Sequence, residues 1–203
     1  MRKFVTVQYL HSHEQKSIEN CLRQWDFCLP AHVFLRSAQQ VRRPIEQLPT
    51  KNEIERLTAF WKAIEVGDTE GIVQYLNRVL SNSISVFDTK ARKEEKESSY
   101  HNLLVGILTG NADWLVKSNV EAGAGFADIV VETDDPDAGI VVDIKYTKSF
   151  DEMETACKKA LDQIQARRYQ DYLINDDRKD IHLYGITFCK KRCRAITEVL
   201  SNQ

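Results

Sequence analysis

The chain has 203 residues, 42% hydrophobic and 29% charged, with a net charge of −2. That suits one globular domain of ordinary size, or one domain with an extension, and excludes a disordered or fibrous chain and a strong global field toward a polyanion. No window approaches the ~18 apolar residues of a spanning helix, and the N-terminus lacks the apolar core of a signal peptide, so the chain is expected to be cytoplasmic with no membrane partner.

Residues 1–48 are the least readable. Phe4–Leu10 reads as a short strand, and Ser12 with Gln15 hints at a capped helix over His13–Gln24. Pro30, Pro44 and Pro49 punctuate the rest. His11, His13 and His32 have no carboxylate or Cys partner at ligand spacing and read as scattered histidines. The cysteines, Cys21, Cys28, Cys157, Cys189 and Cys193, are odd in number and form no CxxC pair, which reads as free thiols in a reducing compartment.

Residues 50–82 predict an αα-hairpin. Thr50 and Glu53 form a capping box, and Ile54, Leu57, Phe60, Trp61 and Ile64 recur at helical spacing. Gly67 ends that helix. Asp68 can cap a second, which carries Ile72, Tyr75, Leu76, Val79 and Leu80. Residues 89–109 run from the charged TKARKEEKE into the apolar SSYHNLLVGIL and predict a single helix. On it Glu97, His101, Leu104 and Leu108 fall within about 60° of arc, so Glu97 lies in line with the apolar face. His101 is placed either to orient Glu97 or to sit as a satisfied core histidine.

Trp114–Ala122 predicts a strand, with Gly123 and Gly125 as a turn or bulge. Two β-branched runs follow, Asp128–Val131 and Gly139–Ile144, joined by the acidic turn Asp134–Asp137. Apolar neighbours on both sides suggest strands in the middle of a sheet. Asp128, Asp143 and Lys145 stand at the ends of these runs, and buried charge is costly without partners. A divalent cation is the obvious partner for two carboxylates, with the lysine then facing a phosphate; a plain ion pair of Lys145 with Asp143 or Asp128 is the competing reading.

A long helix is predicted from Ser149–Asp151 to about Leu173, on the stripe Met153, Cys157, Ala160, Leu161, Ile164 and Tyr172. Asn175–Asp180 is a polar loop, and Ile181–Phe188 and Arg192–Val199 are closing strands. Lys158–Arg194 holds ten Lys/Arg against five Asp, a basic flank that suits a phosphate backbone or simply forms a solvated face.

The order Glu97, Asp128 after a Gly-rich turn, Asp143-x-Lys145, then a Gln-bearing helix resembles the PD-(D/E)XK nuclease superfamily, in particular the bacterial branch usually joined to an AAA-ATPase-like domain. The stretches that carry it are EKESSYHNLLVGIL, GAGFADIVV, GIVVDIKY, KKALDQIQARRY and YGITFCKK. The resemblance spans about residues 50–195 and is strongest over 94–190. It implies a restriction-endonuclease-like α/β core over residues 85–203, a central mixed four- to five-stranded sheet flanked by helices, preceded by a helical extension over residues 1–84. It also implies metal-dependent hydrolysis of nucleic acid, DNA favoured over RNA, with Mg²⁺ or its substitute Mn²⁺. Asp128, Asp143, the Ile144 carbonyl and Glu97 would hold metal, and Lys145 would orient the attacking water. Gln163, Tyr169, His101, Lys159 and Arg167 would contact the substrate or brace the site. Helix geometry alone would instead pair Gln165 with Tyr169, four residues on and on the same side.

Three departures stand out. Phe126 occupies the position after the second Gly where the branch carries Arg. Asp143 replaces the usual Glu. The Gly106–Gly110 pair lacks the Lys-Ser/Thr of a P-loop, so the chain is expected to be either a stand-alone nuclease domain, with an AAA-ATPase-like partner in trans, or a piece of a longer system. A homodimer would suit the cutting of two strands. A nuclease fold without turnover, binding nucleic acid or a partner ATPase, is the alternative function.

Overall fold

The computed structural model describes residues 50–82 and 93–201. The readings on residues 1–48 therefore lie outside the described residues, as do residues 89–92 at the start of the charged run.

Thr50 caps α1 (Lys51–Val66): its hydroxyl accepts from the Glu53 N–H at 3.3 Å, and the Glu53 carboxylate accepts from the Thr50 N–H at 2.8 Å. Gly67, at φ 77, closes α1 in the left-handed region. Asp68 then accepts from the Gly71 N–H at 3.0 Å and starts α2 (Thr69–Asn82). The third helix, α3, is Lys93–Leu108.

Five strands follow in one sheet of order β1-β2-β3-β4-β5: β1 (Leu115–Ala122), β2 (Gly125–Glu132), β3 (Ala138–Tyr146), β4 (Asp180–Cys189) and β5 (Arg192–Ser201). β3 and β4 run parallel and every other pair antiparallel, so the sheet is mixed. The parallel pair needs a crossover, supplied by α4 (Met153–Arg167) and the short α5 (Asp171–Ile174). Period-two alternation sends Ile129, Val142, Ile144 and Phe188 into one core with Phe60, Ile72, Leu76 and Leu104 of α1–α3. It sends Val130, Val141 and Leu183 into a second core with Leu161, Ile164 and Leu173. The inner strands are thus covered on both faces, as their unbroken apolar runs implied.

The α1–α2 hairpin belongs to the first core and is tied in by polar contacts. Tyr184 Oη donates to the Ile64 carbonyl at 2.6 Å, Trp61 Nε1 to the Ile107 carbonyl at 3.1 Å, and the Cys193 N–H to Asn77 Oδ1 at 2.8 Å. Cys157, Cys189 and Cys193 are buried free thiols. Among the described residues no helix is long and apolar enough to cross a membrane.

Two features differ from the sequence expectation, and both shape the site. The long helix predicted to Leu173 stops at Arg167; Arg168 turns left-handed at φ 56, which lets Tyr169 fold inward and become buried. The break is met by the tip of the β1–β2 hairpin, where the Ala124 N–H donates to the Arg167 carbonyl at 2.8 Å. Gly123, at φ 54, permits this approach, because a Cβ there would stand 2.0 Å from that carbonyl oxygen. The β1–β2 arm also changes face midway. Val116, Ile129 and Val131 pack on the first core, whereas Val120, Ala122 and Ala127 pack on the second. The switch falls at Asn119, at φ 52, and opposite it at Asp128.

Candidate active site

The ladder between β2 and β3 ends at the pair Ile129–Val142, while β3 runs on to Tyr146 paired with β4. Past that point the β3 amides that face β2 have no strand to meet. Two carboxylates take them instead. Asp128 Oδ2 accepts from the Ile144 N–H at 2.7 Å, and Glu97 Oε2 accepts from the Tyr146 N–H at 3.1 Å. Such bonds to a charged acceptor are among the stronger ones. The second oxygen of each carboxylate has no partner among the described residues. The Ile144 carbonyl leaves the strand on the same side as its N–H, toward this gap.

Asp143 and Lys145 alternate with Ile144 and project toward α4. The Asp143 side chain has no exposed surface. Its Oδ1 accepts from Gln163 Nε2 at 3.0 Å, and its Oδ2 is ion-paired with Lys145 Nζ at 2.5 Å. Burial, then the neighbouring Asp128 charge, pushes the Asp143 carboxyl up to about 7, with Glu97 adding and Lys145 only partly offsetting. For Lys145 burial acts to lower the pKa, but the surrounding carboxylates, Asp143 foremost, outweigh it and hold the ammonium above its ordinary value. Three carboxylates thus converge around one ammonium, a cluster short of positive charge.

Lys145 also lies on the wall of a cleft of about 720 Å³, lined further by Thr147, Lys148, Thr155, Lys159 and Gln163. Gln163 Nε2 reaches Tyr169 Oη as well, at 3.3 Å. This resolves the two glutamines. Because the helix ends at Arg167, Tyr169 no longer lies over Gln165, and Gln165 bonds Glu198 on β5 instead. His101 does not bond Glu97; its Nε2 donates to the Asp128 carbonyl at 3.0 Å and lies 3.2 Å from Ser118 Oγ, pinning the switch in β2. Lys159 stands in the cleft wall, but the Arg167 guanidinium bonds the Ala124 carbonyl at 3.3 Å, at the hairpin tip. Phe126 is 62% exposed.

Sequence reasoning passed over Tyr146, Lys96 and Lys148. Tyr146, Tyr100 and Phe188 stack, with ring centroids 5.8 Å and 4.5 Å apart. Lys96 Nζ sits 3.4 Å from Tyr146 Oη and 5.3 Å from its ring centroid. Strand parity would have placed Tyr146 on the α3 side, but the partner of Lys96 depends on the docking of α3, which no local pattern reports.

Among the described residues no three of His, Cys, Asp and Glu converge closely enough to hold a metal by themselves. A hard, octahedral cation needs only one or two protein carboxylates, with water and substrate oxygens filling the shell. The free oxygen of Asp128, the buried and charge-crowded Asp143 and the Ile144 carbonyl fit that pattern. A family model described as the PD-(D/E)XK nuclease superfamily matches residues 95–198. No curated protein matches the chain.

Proposed function

The chain belongs to the PD-(D/E)XK nuclease superfamily, and on that footing we propose that it hydrolyses phosphodiester bonds of nucleic acid, DNA in preference to RNA, with Mg²⁺ as its cation and Mn²⁺ as a substitute. The observation that carries this reading is the meeting of Glu97, Asp128, Asp143 and Lys145 where β2 leaves β3, beside a lysine-bearing cleft.

Asp128, Asp143 and the Ile144 carbonyl would hold the cation, and Glu97 would complete the acidic cluster. When bound, the cation supplies Lewis acidity at the scissile phosphate and makes water a better nucleophile at neutral pH. The remaining work falls to the chain itself. Lys145 orients the attacking water and offsets the charge that grows on the phosphate. Gln163, held by Tyr169, steadies Asp143. His101 steadies the Asp128 backbone. Lys148 and Lys159 receive the phosphates of the strand on either side of the reacting one. A homodimer would suit two-strand cutting, and an AAA-ATPase-like protein in trans would deliver the substrate.

The test is a nicking assay on supercoiled plasmid with Mg²⁺ or Mn²⁺. Cleavage by the parent chain and its loss in Lys145→Ala support the reading; equal cleavage by both overturns it. A second reading draws on the exposed apolar Phe126, in place of a cation: a nuclease fold that binds nucleic acid without cutting it. Under it, calorimetry would register cation binding while plasmid stayed intact.

A further inference from the structure

Phe150 lies between the end of β3 and the start of α4, and it is 48% exposed. A single exposed apolar side chain is ordinary. Three circumstances set this one apart. First, its chain neighbours Thr147, Lys148 and Asp151 line the cleft, so this stretch of backbone borders the candidate active site. Second, it is attended by cations from the β4–β5 turn: Lys190 Nζ lies 5.9 Å and the Arg192 guanidinium 5.4 Å from the ring centroid. Third, that turn is fixed. Tyr100 Oη donates to the Lys190 carbonyl at 2.7 Å, from within the aromatic stack that also holds Tyr146. The Phe150 carbonyl in turn accepts from the Met153 N–H at 3.2 Å.

A guanidinium over an aromatic ring is a flat surface on which a nucleobase stacks, and Lys148, Lys190, Lys191 and Arg192, all exposed, suit the phosphates attached to that base. The same density of positive charge disfavours an apolar protein partner. In a duplex each base already has both faces covered by its neighbours, so only an unpaired base can use such a ring.

We infer that Phe150, with Lys190 and Arg192, forms a stacking platform for an unpaired nucleotide of the strand seated in the cleft, so that the substrate carries a single-stranded segment or end. This rests on the nucleolytic reading of the cleft and narrows its substrate class. None of the three residues belongs to the cluster around Asp143, so substitution there leaves the cation-binding groups in place.

Fluorescence anisotropy tests the platform with two labelled probes, an oligothymidylate and a blunt-ended hairpin duplex, in Ca²⁺ in place of Mg²⁺. Phe150→Ala is expected to weaken oligothymidylate binding by about tenfold and leave duplex binding nearly unchanged. Phe150→Trp is expected to bind as the parent does, and its added indole emission to be quenched by oligothymidylate. Equal losses on both probes, no loss on either, or an unquenched indole would overturn the platform. Stacking by a parent chain that in Mg²⁺ cuts neither plasmid nor a single-stranded oligonucleotide would overturn the nuclease reading alone. Failure of the parent to bind either probe would overturn both.

Discussion

Asp143 sits with no exposed surface between a glutamine amide and a lysine ammonium, and its environment has a thermodynamic signature. Burial, with Asp128 nearby, raises its carboxyl from 3.8 to about 7. Between those values the folded chain keeps a proton that the unfolded chain releases. Its contribution to stability is therefore full below the lower value and lost as pH rises through the upper one. In the absence of divalent cations, Tm is expected to fall between about pH 4 and pH 7, a trend that Asp143→Asn flattens and that added Mg²⁺ opposes at the upper end. Calorimetric scans across that range decide it; a parent profile as flat as that of Asp143→Asn would contradict the account. Lys145→Ala is expected to lower cleavage by more than about a hundredfold while leaving the fold intact. Grouping Glu97 with Asp128, Asp143 and Lys145 depended on the family resemblance; strand-end charge alone left a plain Lys145–Asp143 ion pair as the competing reading, and that pair is present. The choice of Gln163 over Gln165 was not legible from helix geometry. It depends on the left-handed turn at Arg168, where no Gly or Pro announces a stop.

At the scale of elements, α3 works as a clamp. Glu97 bonds β3 and His101, one turn on, bonds β2, so one helix holds two strands at the place where their own ladder has ended. Glu97→Gln keeps an oxygen that can accept from the Tyr146 N–H but removes the charge. It is expected to retain most of the stability and lose most of the cleavage. Glu97→Ala loses both, with a stability cost of about 2 kcal/mol measurable by urea denaturation. If the two variants proved equally unstable, the clamp would be refuted. The other face depends on close packing of α4 against β4. A Cβ at Gly185 would stand 2.2 Å from the Cys157 carbonyl oxygen, so Gly185→Ala must push the helix outward. A loss of about 3 kcal/mol in the same measurement is expected. The strands themselves were readable from β-branched runs, and α1 and α2 from their caps and stripes. The change of face at Asn119 and Asp128 was not, since a positive φ at Asn leaves no periodic trace.

Across the whole molecule, the helices that precede the nuclease-like segment are structural partners of the sheet. Phe60, Ile64, Ile72, Leu76 and Leu80 share one core with Tyr184, Ile186 and Phe188. Removal of residues 50–82 would bare that face, and the shortened chain is expected to lose cooperative thermal unfolding and to bind the dye ANS. A cooperative transition in the shortened chain would show that the sheet stands without them. That these helices would bury one face was foreseeable from their amphipathic stripes; that they cover this face of the sheet was not, because long-range docking is not written in local periodicity. The parallel pairing of β3 with β4 has a further consequence during synthesis. Until the stretch that becomes β4 has left the ribosome, the strand bearing Asp143 and Lys145 has no neighbour on that side. Asp143 and Lys145 are therefore held in place only after residues 180–189 have been made, and a nascent chain that stops short of them is expected to lack the assembled cluster.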